Sequence, residues 1–383
     1  MTRVAVQPDI LRWACERAGY NLRKLTQRFP QLPAWERGVK RPTLKQLEDF
    51  AKATHTPFGF LFLPERPEER LPIPDFRTVK QGPLRPSPEL LDTIYAMQRR
   101  RDWLREERIE GEAEPLGFVG SARLGDDPAA VGQEMRRMVG VDDGWASEVA
   151  TWEEAVSELR RRVEQLGVMA VINGVVGNNT HRKLDVEEFR GFALTDRYAP
   201  LIFINGADSK SAQMFTLAHE LAHVWLGSEG EGLSGFEGLF PGDARVEKFC
   251  DEAAAEFLAP ARELRECWRG MEGAVEPFQQ MARHFKVSPI VVGRRALDLR
   301  LVSRRTFFEF YESYMNRERE QARRAGGGDF YNNQNTRLGE RFAMAVIRAA
   351  AEGRLTFKEA YGLTGLRGGA FQKYAKRLGM DLP

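Results

Sequence analysis

Residues 216–227 read TLAHELAHVWLG, which sets two histidines four positions apart with a glutamate directly after the first. On a helix turning roughly 100° per residue, His219 and His223 stack on one face, with Thr216 nearby. Met214, Leu217, Leu221 and Val224 fall on the opposite face and are expected in the core. Imidazoles at i and i+4 can both reach a single zinc ion, whose nitrogen ligands sit at about 2.0–2.1 Å. Glu220 lies about a quarter-turn away, able to meet a water on the metal without ligating it, which is where a general base belongs. The chemistry of such a site is peptide hydrolysis. The bland alternative is a pair of surface histidines on an amphipathic helix. Against it, the chain has only five histidines and places two of them here, on a strongly periodic helix.

A catalytic zinc needs a third protein ligand and an open position. Downstream, VEKFCDEAAAEFLAP (246–260) offers Glu247 and Asp251, again four apart on one helix face. Glu247 would complete a His, His, Glu set. Asp251, one turn on, can accept the spare N–H of a ligand histidine and fix its tautomer. Glu252 and Glu256 are the alternatives. Glu252 lies off that face and Glu256 two turns further along, so both read as ordinary exposed or supporting acids. Cys250 points about 60° away from Glu247 and reads as a packed small residue.

These side chains need a scaffold. GVMAVING (167–174) is a short apolar run bounded by glycines and reads as a strand. FRGFALT (189–195) and APLIFING (199–206), joined by DRY, predict a hairpin that delivers the chain into the histidine helix. APLIFING is also the expected edge for an extended substrate to pair with. Tyr198 and His181, close in sequence, read as structural. Two helices, PAAVGQEMRRMVG and WEEAVSELRRRVEQLG, precede the first strand, and an order of helix, three strands, helix fits a small mixed domain. After residue 260 the pattern is helical apart from a soft insert, RRAGGGDFYNNQN, at 323–335.

HELAH followed by EKFCDEAAAEFLAP resembles the ImmA/IrrE metallopeptidases, over roughly residues 150–265. The resemblance implies that His219, His223 and Glu247 hold Zn2+, that Glu220 is the base, and that GVMAVI and APLIFING belong to the family's small sheet. Asp251 stands where the family usually has Asn, and FLAP replaces the usual LLMP. It further implies one specific protein substrate, typically a helix-turn-helix repressor of XRE type cleaved on DNA damage or induction of a mobile element.

The N-terminal region is helix-patterned, and WERGVKRPTLKQLEDFAKA resembles the end of an XRE-type helix-turn-helix. Pro42 and Thr43 fit the start of its next helix. Only RFPQLPA separates the helix of Leu25 from Trp35, however, with Pro30 and Pro33 inside it. Proline in a helix interior costs about 3 kcal/mol or more, so an ordinary major-groove reading helix is not expected there. Two later segments look like helix-turn-helix pairs: 278–302, with Arg294 and Arg295 on its second helix, and 356–379, with Lys373, Lys376 and Arg377. These five basic side chains are the candidate DNA contacts. In the helix between, Arg99, Arg100, Arg101, Arg105 and Arg108 alternate with acids and read as a solvated face. His284 reads as a helix-surface residue.

Composition sets the outer bounds. Hydrophobic residues make up 42% and charged residues 29% of the 383, and the net charge is +2, so any nucleic-acid contact must be a local patch. No membrane span or secretory leader is visible, and three cysteines without CxxC spacing read as reduced thiols in a cytoplasmic protein. The expected architecture is α+β and mostly helical: a zincin-like metallopeptidase domain with a small three-stranded sheet, flanked by helical helix-turn-helix-like modules. Its expected divisions are 1–65 (XRE-like), 66–125 (proline-rich linker and charged helix), 126–265 (zinc peptidase), 266–322 (helix-turn-helix-like) and 323–383 (C-terminal helical). The expected function is a zinc metalloendopeptidase acting as a regulator on a repressor-like or toxin-partner protein, in a stress, mobile-element, defence or toxin–antitoxin setting. DNA and a second copy of the chain are further partners to test, and no membrane is expected. The alternative is a DNA-binding regulator or antitoxin whose peptidase domain serves as sensor or scaffold.

Overall fold

The computed structural model describes residues 3–19, 22–67, 86–227, 244–271, 274–321 and 335–382. They form two compact units, whose division falls between Tyr95 and Ala96. In the first lie α1 (Pro8–Arg17), α2 (Leu22–Arg28), α3 (Leu32–Glu36), α4 (Leu44–Ala53) and a 3-10 turn at Phe58–Phe62. Thr43 caps α4 in a reciprocal box: its hydroxyl accepts from the Gln46 N–H at 3.2 Å while the Gln46 side chain accepts from the Thr43 N–H at 2.9 Å. The short helix α3 has five residues and carries Pro33 in its first turn. Its Trp35 is buried against Phe29 and Phe50, so the tryptophan of WERG is core. This unit's described residues run past the expected boundary at 65, and residues 68–85 of the proline-rich stretch lie outside those described.

The second unit takes up the long helix α5 (Pro88–Glu110) from Ala96 onward and continues with α6 (Pro128–Val139) and α7 (Trp152–Gln165). Then come β1 (Met169–Asn173), β2 (Val175–Val176), β3 (Asn179–Lys183), β4 (Gly191–Leu194) and β5 (Leu201–Asn205). Further helices are α8 (Lys210–Leu226), α9 (Ala244–Leu258), α10 (Ala261–Arg269), α11 (Pro277–Phe285), α12 (Pro289–Asp298), α13 (Arg304–Gln321), α14 (Glu340–Ala351), α15 (Phe357–Thr364) and α16 (Gly369–Arg377). The fold is thus α+β and mostly helical around a three-stranded mixed sheet. Among the described residues, no helix is long and apolar enough to cross a membrane.

The sheet has the order β1-β5-β4, with β1 parallel and β4 antiparallel to β5. Both β1 and β5 are buried at every position, which is why they read as continuous apolar runs. The expected hairpin is present as β4–β5, but β5 is the central strand and the open edge on that side belongs to β4. APLIFING therefore has no free edge to offer, because β1 and β4 already occupy both. The β2–β3 ribbon is an addition to the three expected strands. Its second strand, NTHRK, is polar and mostly exposed, so no alternation betrays it.

One core runs from Phe118 through α6–α9 to Phe278, Phe285, Val292 and Ala296, so α11 and α12 share it with the sheet and the histidine helix. The expected division at 265 separates no packing unit. At 278–302 two helices meet at a short turn: Lys286 turns the chain at φ 52°, and the Ser288 hydroxyl caps α12 at the Val291 N–H. Its arginines part company. Arg294 is exposed and pairs with Asp298 at 3.1 Å. Arg295 is buried, pairs with the buried Glu256 and donates to the Ala259 carbonyl at 3.2 Å, so it is no DNA contact but an internal tie between α12 and α9. Glu256, expected as an exposed or supporting acid, is interior for the same reason. Among the described residues, removing the guanidinium leaves that carboxylate with only Gln133 and the Ala261 N–H. Arg295→Ala is accordingly expected to cost about 3 kcal/mol, against about 0.5 kcal/mol or less for Arg294→Ala. Urea unfolding checks this, and equal midpoints would contradict it.

The arginines of α5 are likewise not all solvated. Arg100 is buried and donates to the carbonyls of Leu363 and Arg337, each at 2.9 Å, fastening the C-terminal helices. Arg108 donates to the Gly167 carbonyl at 3.0 Å and to that of Tyr198. Lys373, Lys376 and Arg377 are exposed on α16. The soft insert lies outside the described residues except for Asn335.

Candidate metal centre

Ser209 starts α8 by accepting the Ala212 N–H on its hydroxyl at 3.2 Å. From there the helix is more deeply set than an amphipathic pattern suggests. Met214, Leu217, Leu221 and Val224 are core, as expected, but His219 (2% exposed), Glu220 (4%) and His223 (6%) are buried too. The helix packs against β4, β5, α7 and α9. Burying three titratable side chains on one turn is costly unless each has partners, which rules out the surface-histidine alternative.

The partners converge from α9. Glu247 brings one carboxylate oxygen to 3.6 Å from His219 Nε2 and the other to 3.4 Å from His223 Nε2, and the two Nε2 atoms are 2.9 Å apart. Four-coordinate zinc with ligands at about 2.0–2.1 Å holds its ligand atoms roughly 3.3–3.4 Å from one another. The trio matches that spacing to within a few tenths of an ångström, so these residues fit one such ion. On the far side of the first ring, His219 Nδ1 lies 3.1 Å from Asp251 Oδ1, which points Nε2 inward. Glu252 faces out and pairs with Lys248 at 3.7 Å, and Glu256 turns to Arg295; neither joins the trio.

Cys250 does more than pack. It is fully buried and its thiol hydrogen-bonds His223. Burial opposes a charged His223 imidazole, yet the bonds to Cys250 and Glu247 and the nearby Glu220 charge outweigh it and raise its pKa well above the ordinary histidine value. The pocket thus favours positive charge, as a cation site should. Burial pushes the Cys250 thiol up in turn. The spacing of Cys250 from the two histidines carries no signal of this role; only the meeting of α8 with α9 does.

Glu220 faces the start of β4. A Cβ added at Gly191 would meet Thr216 Cγ2 at 2.5 Å, the Phe203 carbonyl at 2.9 Å and Glu220 Oε1 at 3.3 Å. Only glycine lets the strand pass this close to the histidine helix, a requirement the run FRGFALT does not advertise. Gly191→Ala is expected to cost about 1–3 kcal/mol through overpacking and to displace the Glu220 carboxylate. Thermal melting together with turnover checks it; unchanged values in both would show that the strand can retreat freely. Tyr198 uses its backbone, its N–H donating to Asp196 at 2.8 Å, and His181 sits on the exposed β3.

Residues 164–297 match the IrrE N-terminal-like domain of the Peptidase_M78 family. The match supports the ImmA/IrrE family for this region, with metallopeptidase chemistry and a peptidase-like regulator at that level. The IrrE-like region opens within α7 and runs through the sheet, α8 and α9 to the end of α12. It thereby takes in the helix pair of Arg294 and Arg295, in keeping with the shared core. Residues 338–377 match a domain of unknown function (DUF8813) that covers α14–α16. No curated protein matches the chain.

Proposed function

We propose that the chain is a zinc-dependent endopeptidase that hydrolyses one specific protein, a repressor of XRE type or a toxin partner, as a regulator in the cytoplasm during stress, mobile-element induction or defence. The observation that carries this reading is the spacing of His219 Nε2, His223 Nε2 and the Glu247 carboxylate, with Glu220 buried on the same turn. When bound, zinc supplies Lewis-acid activation of a water and of the scissile carbonyl. His219 and His223 hold the ion through Nε2, Glu247 through a carboxylate oxygen, and Asp251 keeps the first ring oriented. Glu220 takes the proton of the attacking water and passes it to the leaving amine. The open edge of β4, which runs beside Glu220, offers main-chain hydrogen bonds to an extended substrate segment. The test is to incubate the zinc-loaded protein with the repressor or partner encoded beside its gene and map the products by mass spectrometry. A single cut that disappears on chelation is expected; no cut, or one indifferent to chelation, overturns the reading.

A second reading, a DNA-binding regulator, draws on Lys373, Lys376 and Arg377, exposed together on the second helix of the α15–α16 pair. Phosphate contacts there would leave duplex affinity intact when residues 1–65 are deleted and reduce it when the three are changed to alanine.

A further inference from the structure

A second group of metal-ligating side chains, sharing no residue with the trio, lies one helix beyond the first. Glu263 and Cys267 stand four apart on α10, and His284 projects from the last turn of α11. Their ligand atoms all lie within 4.8 Å of one another. His284 Nε2 is the meeting point, 2.8 Å from Glu263 Oε1 and 3.6 Å from Cys267 Sγ. We propose that Glu263, Cys267 and His284 form a second metal site, a zinc-class staple that joins α10 to α11.

Zinc binds thiolate sulfur at about 2.3 Å and imidazole nitrogen at about 2.0–2.1 Å, which at a tetrahedral angle puts the two atoms roughly 3.6 Å apart. The Cys267–His284 separation already has that value. The carboxylate must open by about half an ångström from its hydrogen-bonded position to reach ligand spacing around such an ion. It is held ready, because the Gly144 N–H donates to Glu263 Oε1 at 3.1 Å from the loop after α6. Glu263 is buried while Cys267 and His284 are half-buried, so two of the three side chains keep some contact with solvent. A thiolate, an imidazole and a carboxylate together select a borderline cation such as zinc over magnesium or calcium, which want oxygen alone. Cys267 has no disulfide partner to compete for its sulfur. Bound there, the ion fixes α11 against α10, the helix that follows α9 and its Glu247.

The test uses the full-length protein and counts metal at each site separately. Metal analysis should give two equivalents for the wild type and one for a His219→Ala/His223→Ala variant. With cobalt(II) in place of zinc, that variant should keep a thiolate-to-cobalt charge-transfer band. Adding Cys267→Ser should abolish both the band and the remaining equivalent, with the circular dichroism spectrum unchanged. The variant lacking the first site's histidines keeps this result independent of whether the proposed peptidase centre is correct. His284→Ala, at a half-buried position, provides a second route to the same loss. One equivalent in the wild type, with no thiolate band at excess cobalt, would reduce the cluster to a hydrogen-bonded tether and overturn the proposal. A band that survives Cys267→Ser would assign the thiolate to Cys15 or Cys250 and overturn it equally.

Discussion

Glu220→Gln should keep metal at the His219–His223–Glu247 trio and lower cleavage by roughly 10²–10⁴-fold, the usual worth of a positioned general base. The amide has the shape and volume of the carboxylate, so the close passage of Gly191 beside it is preserved and the fold should not suffer. What the amide cannot do is accept a proton. The variant also removes a negative charge that raises the His223 pKa, so an incoming cation displaces a proton from that imidazole no less readily. Metal content therefore stays while turnover falls, a split that general damage to the site would not produce. Glu252→Gln is the matched control, since Glu252 is exposed and pairs with Lys248 on the outer face of α9; it should leave both quantities unchanged. Cleavage by Glu220→Gln at the wild-type rate would remove Glu220 from the role of base.

Much of this site is legible in the sequence because it is local. Two histidines and a glutamate within five residues declare a helix face, and Glu247 with Asp251 declares another, so α8 and α9 can be posed against each other from residue spacing alone. The apolar runs of β1 and β5 and the β4–β5 hairpin are readable for the same reason: their periodicity and turns are properties of neighbouring residues. What escapes depends on contacts distant in sequence. Nothing in APLIFING distinguishes a central strand from an edge, since β1 joins it in parallel from about thirty positions away. Arg295 resembles a phosphate contact because an arginine on the second helix of a helix-turn-helix pair is usually solvated; its burial is set by Glu256, whose own position in the sequence looks equally exposed. His284 has the pattern of a surface residue, and its meeting with Glu263 and Cys267 arises only when α11 folds back on α10. Gly191 is the plainest case, a small residue whose reason is the close approach of Thr216 on α8 and of the Phe203 carbonyl on β5.

Glu247→Ala should weaken metal binding at the trio by more than the roughly 10–100-fold that loss of an outer hydrogen-bond partner costs, while Asp251→Ala should fall within that range. The geometry separates the two acids sharply. Asp251 meets His219 at Nδ1, and Nε2 lies across the ring from it, so Asp251 cannot orient the imidazole and share an ion with Nε2 from the same position. Glu247 instead approaches both Nε2 atoms, one carboxylate oxygen to each. Its loss leaves two nitrogens 2.9 Å apart with no anionic ligand between them and water. Competition against a chromophoric chelator measures the effect, in a Cys267→Ser background that confines binding to this trio. Glu247→Gln sharpens it: the amide oxygen preserves a neutral ligand of the same reach, so an affinity between wild type and Glu247→Ala would show that both the charge and the oxygen count. Equal affinity for Glu247→Ala and the wild type would move the third ligand to Asp251 or Glu252, and with it the inward direction of the whole site.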